Sequence, residues 1–137
     1  MNSILFSAFY GLLKGVAFAK HSVRDVSDFQ ANVIGPLHEE AVYRVLPHVT
    51  MGRALPRGFT AFIFATDHLI SEYRHNALDG FQAVVRFADV FAGGLLYEAA
   101  FRRYGYLGAV LAHAAHNTAC GLGRKAAQGG ARVGIAP

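Results

Sequence analysis

Three short polar clusters, each enclosed by apolar residues, constrain the fold of this chain more than any other feature. They occupy residues 39–44 (Glu-Glu-Ala-Val-Tyr-Arg), 64–68 (Phe-Ala-Thr-Asp-His) and 113–117 (His-Ala-Ala-His-Asn). Of the 137 residues, 53% are hydrophobic and only 16% are charged, so ionisable groups inside such segments are costly to desolvate. Groups of this kind persist when they pair with one another or take part in chemistry. Two glutamates, two histidines and an asparagine are also a plausible set of groups for activating water and stabilising an oxyanion.

The apolar segments predict helices, because none of them alternates with a period of two between turn residues. Five segments resemble spans: residues 4–19, 29–49, 59–70, 81–100 and 106–122. The mean hydropathy of +0.28 and the low charge content favour a membrane protein. None of the segments is an uninterrupted run of about 20 apolar residues, however. We predict an all-α protein, a polytopic membrane helical bundle of about four to five helices. A water-soluble protein with buried helices is the alternative.

Proline and glycine mark the expected boundaries of these helices within a single domain. Gly35-Pro36 is predicted to open the second helix, and Pro47 to end or kink it. Pro56-Arg57-Gly58 is predicted to form a turn before the third helix. The polar residues 71–80 are predicted to connect the third and fourth helices. The tail, residues 122–137, is rich in glycine, alanine and basic residues and is expected to be flexible.

The charge distribution and the cysteine content exclude a nucleic-acid partner and two kinds of cysteine site. The net charge is +4, but the basic residues are scattered among the connectors and form no stripe with interleaved aromatics. We therefore expect no nucleic-acid partner. The single cysteine, Cys120, excludes an internal disulfide and any metal site built from several cysteines.

The first polar cluster contains two carboxylates that are expected to have different partners. Glu40 and Arg44 are four residues apart and share one face of a helix, where they can pair. Glu39 lies about 100° further round the helix and is expected to point elsewhere, free to act on water as a general base. The alternative is an ordinary amphipathic helix surface with one salt bridge.

The histidines of the other two clusters are the remaining candidates for chemistry. His113 and Asn117 share a helix face and both donate hydrogen bonds, which suits the stabilisation of an oxyanion. His113 and His116, joined by Glu39 or His68, have instead the nitrogen and oxygen ligands of a zinc site. Purely structural roles are the alternative: His68 as a hydrogen-bonded core residue, and the last cluster as interhelical hydrogen bonds.

Taken together, Glu-Glu-x-x-x-Arg, Phe-x-x-x-His and His-x-x-x-Asn resemble the motifs of the CPBP intramembrane proteases. This family is also called the ABI or type II CAAX-prenyl endopeptidase family. Gly35-Pro36 before the first motif is similar as well, and the run from Gly93 to Asn117 resembles the last two core helices of the family. The resemblance covers about residues 34–121, which we take as the core of the domain.

The resemblance implies a role for each candidate residue. Water would be activated by Glu39 and His68, the site would be supported by Glu40 and Arg44, and the oxyanion hole would be formed by His113 and Asn117. Glu40 is also a candidate for a share in the catalysis. No cofactor is expected from a glutamate-type mechanism, whereas a divalent metal such as zinc is the alternative that His116 keeps open.

Three departures from the family pattern accompany the resemblance. Family members generally have more helices before the first motif, whereas about 33 residues precede it here. The chain is then a minimal core, or a second copy or another partner supplies the missing helices. Tyr43 stands where the family usually has phenylalanine, and Asp67 where it usually has a small or apolar residue.

The expected function is cleavage of a membrane-anchored protein or peptide near its C-terminus or the membrane boundary. The expected location is the lipid bilayer of a bacterial cytoplasmic membrane. Two rival hypotheses fit the same residues: a non-catalytic scaffold or immunity protein that binds a peptide, and a membrane protein that carries protons or metal ions through Glu39, Glu40 and the histidines.

Overall fold

A computed structural model describes residues 2–17, 29–75 and 78–133, and these residues form helices and contain no strand. The helices are α1 (Ser3–Ala17), α2 (residues 30–51), α3 (Phe59–His75) and α4 (Gly80–Val133). The prediction of an all-α protein is confirmed. Judged by length and apolar character together, none of the helices in the described ranges qualifies as a membrane span.

Helix α4 consists of two halves that fold back on each other at Gly105. This residue has φ 72° and ψ −165°, a conformation that glycine adopts without the steric cost of a side chain. The Tyr97 ring of the first half stacks on the His113 ring of the second half, with centroids 4.2 Å apart. The five predicted segments therefore correspond to α1, α2, α3 and the two halves of α4. The second half continues to Val133, so the boundary expected at residue 122 falls inside a helix.

Helix α2 accommodates both of its prolines, so the predicted start at Gly35-Pro36 is wrong, and of the two roles predicted for Pro47 only the end of the helix is excluded. Gly35-Pro36 does not open the helix, because the π-helical turn Gln30–Ile34 precedes it. Pro47 does not end it, because helical residues follow as far as Met51. A second π-helical turn, Ala41–Val45, comes just before Pro47. Proline has no N–H and crowds the carbonyl group four residues earlier, and a wider turn relieves both problems.

The connection between α3 and α4 is shorter than the polar residues 71–80 suggested. Helix α3 continues to His75, and Glu72 in its last turn pairs with Arg86 of α4, whose Nε lies 2.8 Å from Glu72 Oε1. Helix α4 then begins with a reciprocal cap. Asp79 Oδ1 accepts the Gln82 N–H at 2.8 Å, and Gln82 Oε1 accepts the Asp79 N–H at 3.3 Å.

The interior of the bundle is unusually polar at its centre. A small apolar cluster joins α3 to both halves of α4: Phe64, Ala65, Val90, Tyr97, Ala100 and Ala112. Arg44 and Glu40, however, are the largest fully buried side chains. Buried ions need partners close by, so these two residues locate the part of the structure in which charges are matched.

Helix α1 packs against the second half of α4 through glycines. A Cβ atom on Gly11 would lie 2.3 Å from the His116 carbonyl oxygen, and one on Gly15 would lie 2.1 Å from the Cys120 carbonyl oxygen. Glycines four residues apart share a helix face and allow the two backbones to approach closely. Lys14 adds an ion pair with Asp89 of α4 at 2.7 Å. Small residues thus set the position of α1.

We expect Gly15→Ala to destabilise the protein by about 1–3 kcal/mol, because the added methyl group overpacks a backbone contact. Gly80→Ala is the matched control, since a Cβ atom there meets nothing within 4 Å. The measurement is denaturant unfolding of both variants in the same detergent. Equal unfolding free energies for the two variants would contradict close packing at Gly15.

Candidate active site

Three helices contribute side chains to one half-exposed cluster. Glu39 of α2 directs Oε2 towards two imidazole rings, 3.8 Å from His68 Nε2 and 3.7 Å from His113 Nε2. The side chains of Glu39 and His68 are 30% and 27% exposed, whereas that of His113 is only 6% exposed. Glu39 therefore lies at the border between a buried histidine and the accessible side of the cluster.

The orientation of His68 is set by its own helix. Its Nδ1 lies 2.9 Å from the Phe64 carbonyl oxygen, and because a carbonyl only accepts, Nδ1 is the protonated nitrogen in this contact. In the neutral ring the lone pair is then on Nε2, which faces Glu39. Asp67 takes no part in this orientation, since its carboxylate accepts a hydrogen bond from the Tyr43 hydroxyl at 2.5 Å.

His113 lies between the two adjacent glutamates. Its Nδ1 donates to Glu40 Oε1 at 2.9 Å, while Nε2 faces Glu39. The two glutamates reach the same ring by its opposite edges, Glu40 from a fully buried position and Glu39 from a partly exposed one. Tyr97 and Phe64 hold the ring, one stacked and one edge-on.

Arg44 links three helices from a completely buried position. Its Nε lies 3.5 Å from Glu40 Oε2, which is the pairing that the spacing predicted. One terminal nitrogen donates to the Gly94 carbonyl at 3.1 Å and the other to the Thr60 carbonyl at 3.4 Å. The guanidinium also lies over the Phe64 ring, 5.2 Å from its centroid. Arg44 thus ties Glu40 to α3 and α4.

The residues of the third polar cluster, 113–117, lie in two different environments. Asn117 is half-buried one turn after His113 on the second half of α4. The His116 ring packs against Tyr10 of α1 and Tyr97, with centroid distances of 5.4 and 5.9 Å. Within the described ranges, no three residues among His, Cys, Asp and Glu are grouped so as to hold a metal ion. The zinc site proposed from His113 and His116 stays a prediction.

One buried carboxylate beside this region was not predicted. Glu98 accepts the N–H of Gly58 at 3.1 Å and the hydroxyl of Thr60 at 2.7 Å, and Arg102 donates to it at 2.9 Å. The predicted turn at residues 56–58 is confirmed, and Glu98 caps the helix that follows it. The only indication in the sequence was an isolated glutamate at the end of the apolar segment 81–100.

A family model described as type II CAAX prenyl endopeptidase Rce1-like matches residues 29–119, which is more than half of the chain. The chain belongs to this family. The Rce1-like family is a family of proteases whose members are membrane proteins. All six predicted site residues lie within the match: Glu39, Glu40, Arg44, His68, His113 and Asn117. Neither a curated protein nor a solved structure matches the chain.

Proposed function

We propose that this Rce1-like chain is an intramembrane endopeptidase that cleaves a membrane-anchored protein or peptide near its C-terminus or the membrane boundary. The observation that carries the proposal is the pair of contacts made by Glu39. Its carboxylate faces one nitrogen from each of two other helices at 3.7 and 3.8 Å, beyond the length of a direct hydrogen bond. The partners are close enough to share one water molecule.

Water is suited to the gap between Glu39 and His68. Glu39 Oε2 and the unprotonated Nε2 of His68 are both acceptors, so they repel each other unless a donor lies between them. A water molecule about 2.8 Å from each atom donates one hydrogen to each. Its oxygen lone pairs then remain available for a substrate carbonyl, which is the arrangement that general-base catalysis requires.

The proposed hydrolysis follows from this arrangement. The water oxygen forms a bond to the carbonyl carbon, one water proton passes to Glu39, and the carbonyl π electrons move onto oxygen. Collapse of the tetrahedral intermediate breaks the carbon–nitrogen bond, and Glu39 returns its proton to the leaving amine. His68 accepts a hydrogen bond from the second hydrogen throughout. The products are a carboxylic acid and an amine, and the site is restored.

We assign the stabilisation of the oxyanion to His113 and Asn117. Because His113 gives its Nδ1 hydrogen to Glu40, it can donate from Nε2 only when the ring is doubly protonated. The Nε2–H of that doubly protonated ring and the Asn117 amide are the two donors assigned to the developing negative charge.

The exterior of the helices supports a membrane location. Large apolar side chains are exposed on all four helices, with Phe9 57%, Val49 77%, Phe62 53% and Phe81 78% exposed, while Glu40 and Arg44 are fully buried. Apolar surface outside and matched charge inside is the arrangement expected of a protein with an active site at membrane depth. We place the chain in a bacterial cytoplasmic membrane.

The test compares wild type with Glu39→Gln in liposomes containing a mixed library of membrane-anchored peptides, analysed by mass spectrometry. Glu72→Gln is the matched control, since Glu72 pairs with Arg86 outside the site. We expect cleavage by wild type and Glu72→Gln only, unaffected by a chelator, with heavy oxygen from labelled water in the new carboxylate. Cleavage abolished by the chelator would support the zinc-dependent alternative. Absence of cleavage by folded wild type would favour the peptide-binding scaffold.

A further inference from the structure

A hydrogen bond between Tyr43 and Asp67 joins α2 to α3 beside the candidate active site. The Tyr43 hydroxyl donates to Asp67 Oδ2 at 2.5 Å. Tyr43 follows Glu39 by one helical turn on the same face of α2, and Asp67 immediately precedes His68 on α3. The bond therefore bridges the two helices within one turn of both groups that flank the proposed water.

The separation of Glu39 and His68 depends on the helices rather than on the two side chains themselves. They are 3.8 Å apart without a direct hydrogen bond, and both are partly exposed. Phe64 lies between the same elements, with ring centroids 5.3 Å from Tyr43 and 4.2 Å from His68. A ring contact of this kind resists compression, but it has no directional bond that prevents the helices from separating.

We propose that Tyr43 and Asp67 are positioning residues that hold α2 and α3 at the separation needed to keep one water molecule between Glu39 and His68. The inference rests on the proposed function. A hydroxyl donating to a carboxylate makes a short, charge-assisted hydrogen bond, so the pair supplies the directional link that Phe64 lacks. Loss of this link lets Glu39 and His68 move apart and removes water activation without removing any group that acts on the water.

Four variants separate the hydrogen bond from the charge of Asp67. Tyr43→Phe and Asp67→Leu each remove the hydrogen bond. The double variant removes the same bond and no further one. Asp67→Asn keeps an acceptor oxygen but removes the charge. The matched control is Tyr106→Phe, because the Tyr106 hydroxyl donates to the Leu37 carbonyl of the same helix α2 at 2.8 Å, away from α3.

We expect Tyr43→Phe and Asp67→Leu each to lower kcat about ten- to a hundredfold with KM unchanged, because a small misplacement of reacting groups is costly. The double variant should be no worse than either single variant, since both remove the same bond. Asp67→Asn and Tyr106→Phe should stay close to wild type. Wild-type kcat in folded Tyr43→Phe would overturn the proposal, and so would an Asp67→Asn variant as defective as Asp67→Leu.

A spectroscopic measurement distinguishes failure of this inference from failure of the proposed function. With nitrogen-labelled histidine, the ring resonances of His68 report its surroundings in NMR spectra whether or not the protein cleaves a peptide. We expect them to shift in Tyr43→Phe and Asp67→Leu, and to stay in place in Tyr106→Phe. If wild type proves inactive and these shifts occur, only the proposed function fails. Unshifted His68 resonances in both variants would overturn the positioning role even in an active protein.

Discussion

Glu39→Gln lowers kcat/KM for peptide cleavage by about a thousandfold, and adding His68→Ala to that variant lowers it by less than about threefold more. This result is expected because the two residues act on one water molecule. Glutamine retains the size of the side chain but cannot accept a proton. Without the proton acceptor the water is not activated. Removing the hydrogen bond between the water and His68 then lowers the cleavage rate little further.

Comparison of His68→Ala with the double variant tests whether Glu39 and His68 act on the same water molecule. Alone, His68→Ala should lower kcat/KM by about a hundredfold, within the range for a group that assists proton transfer. If the reductions in kcat/KM of the two single variants multiply in the double variant, Glu39 and His68 act independently. That outcome would contradict the proposal that they act on one water molecule. Far-ultraviolet circular dichroism of each variant provides the control for folding, and Glu72→Gln provides the control for loss of a glutamate charge.

The sequence predicted the features of this protein that depend on local pattern. Apolar runs located the five helical segments, and spacing by four residues predicted the pairing of Glu40 with Arg44. The turn at residues 56–58 followed from proline and glycine. Each of these depends on neighbours within a few residues, and so the chain itself contains the information.

The features that sequence reasoning missed depend on what another helix places nearby. The approach of Glu39 and Glu40 to opposite edges of one ring depends on His113, which comes 73 residues after Glu40. The partner of Asp67 is Tyr43, although His68 is its neighbour in sequence. Glycines spaced by four indicate a close helix contact, but the spacing does not identify the partner helix.

Replacing Arg44 should produce the largest loss of stability in this chain. Arg44→Met leaves the Glu40 carboxylate buried without its cation and leaves the Gly94 carbonyl without its donor. Breaking a buried ion pair from one side costs about 3–5 kcal/mol, because the remaining charge stays desolvated. The measurement is denaturant unfolding in detergent followed by circular dichroism, with Arg74→Met as the control for loss of an exposed arginine.

Removing both charges tests whether the pair serves stability or the site. In Glu40→Leu/Arg44→Met no ion is left unpaired, so we expect the unfolding free energy to recover to within about 2 kcal/mol of wild type. Peptide cleavage should nevertheless be abolished, because His113 has lost the acceptor that keeps its Nδ1 protonated. A stable and active double variant would exclude Glu40 and Arg44 from support of the site. A double variant as unstable as Arg44→Met would show that the hydrogen bonds to α3 and α4, rather than the charge pair, dominate the contribution of Arg44.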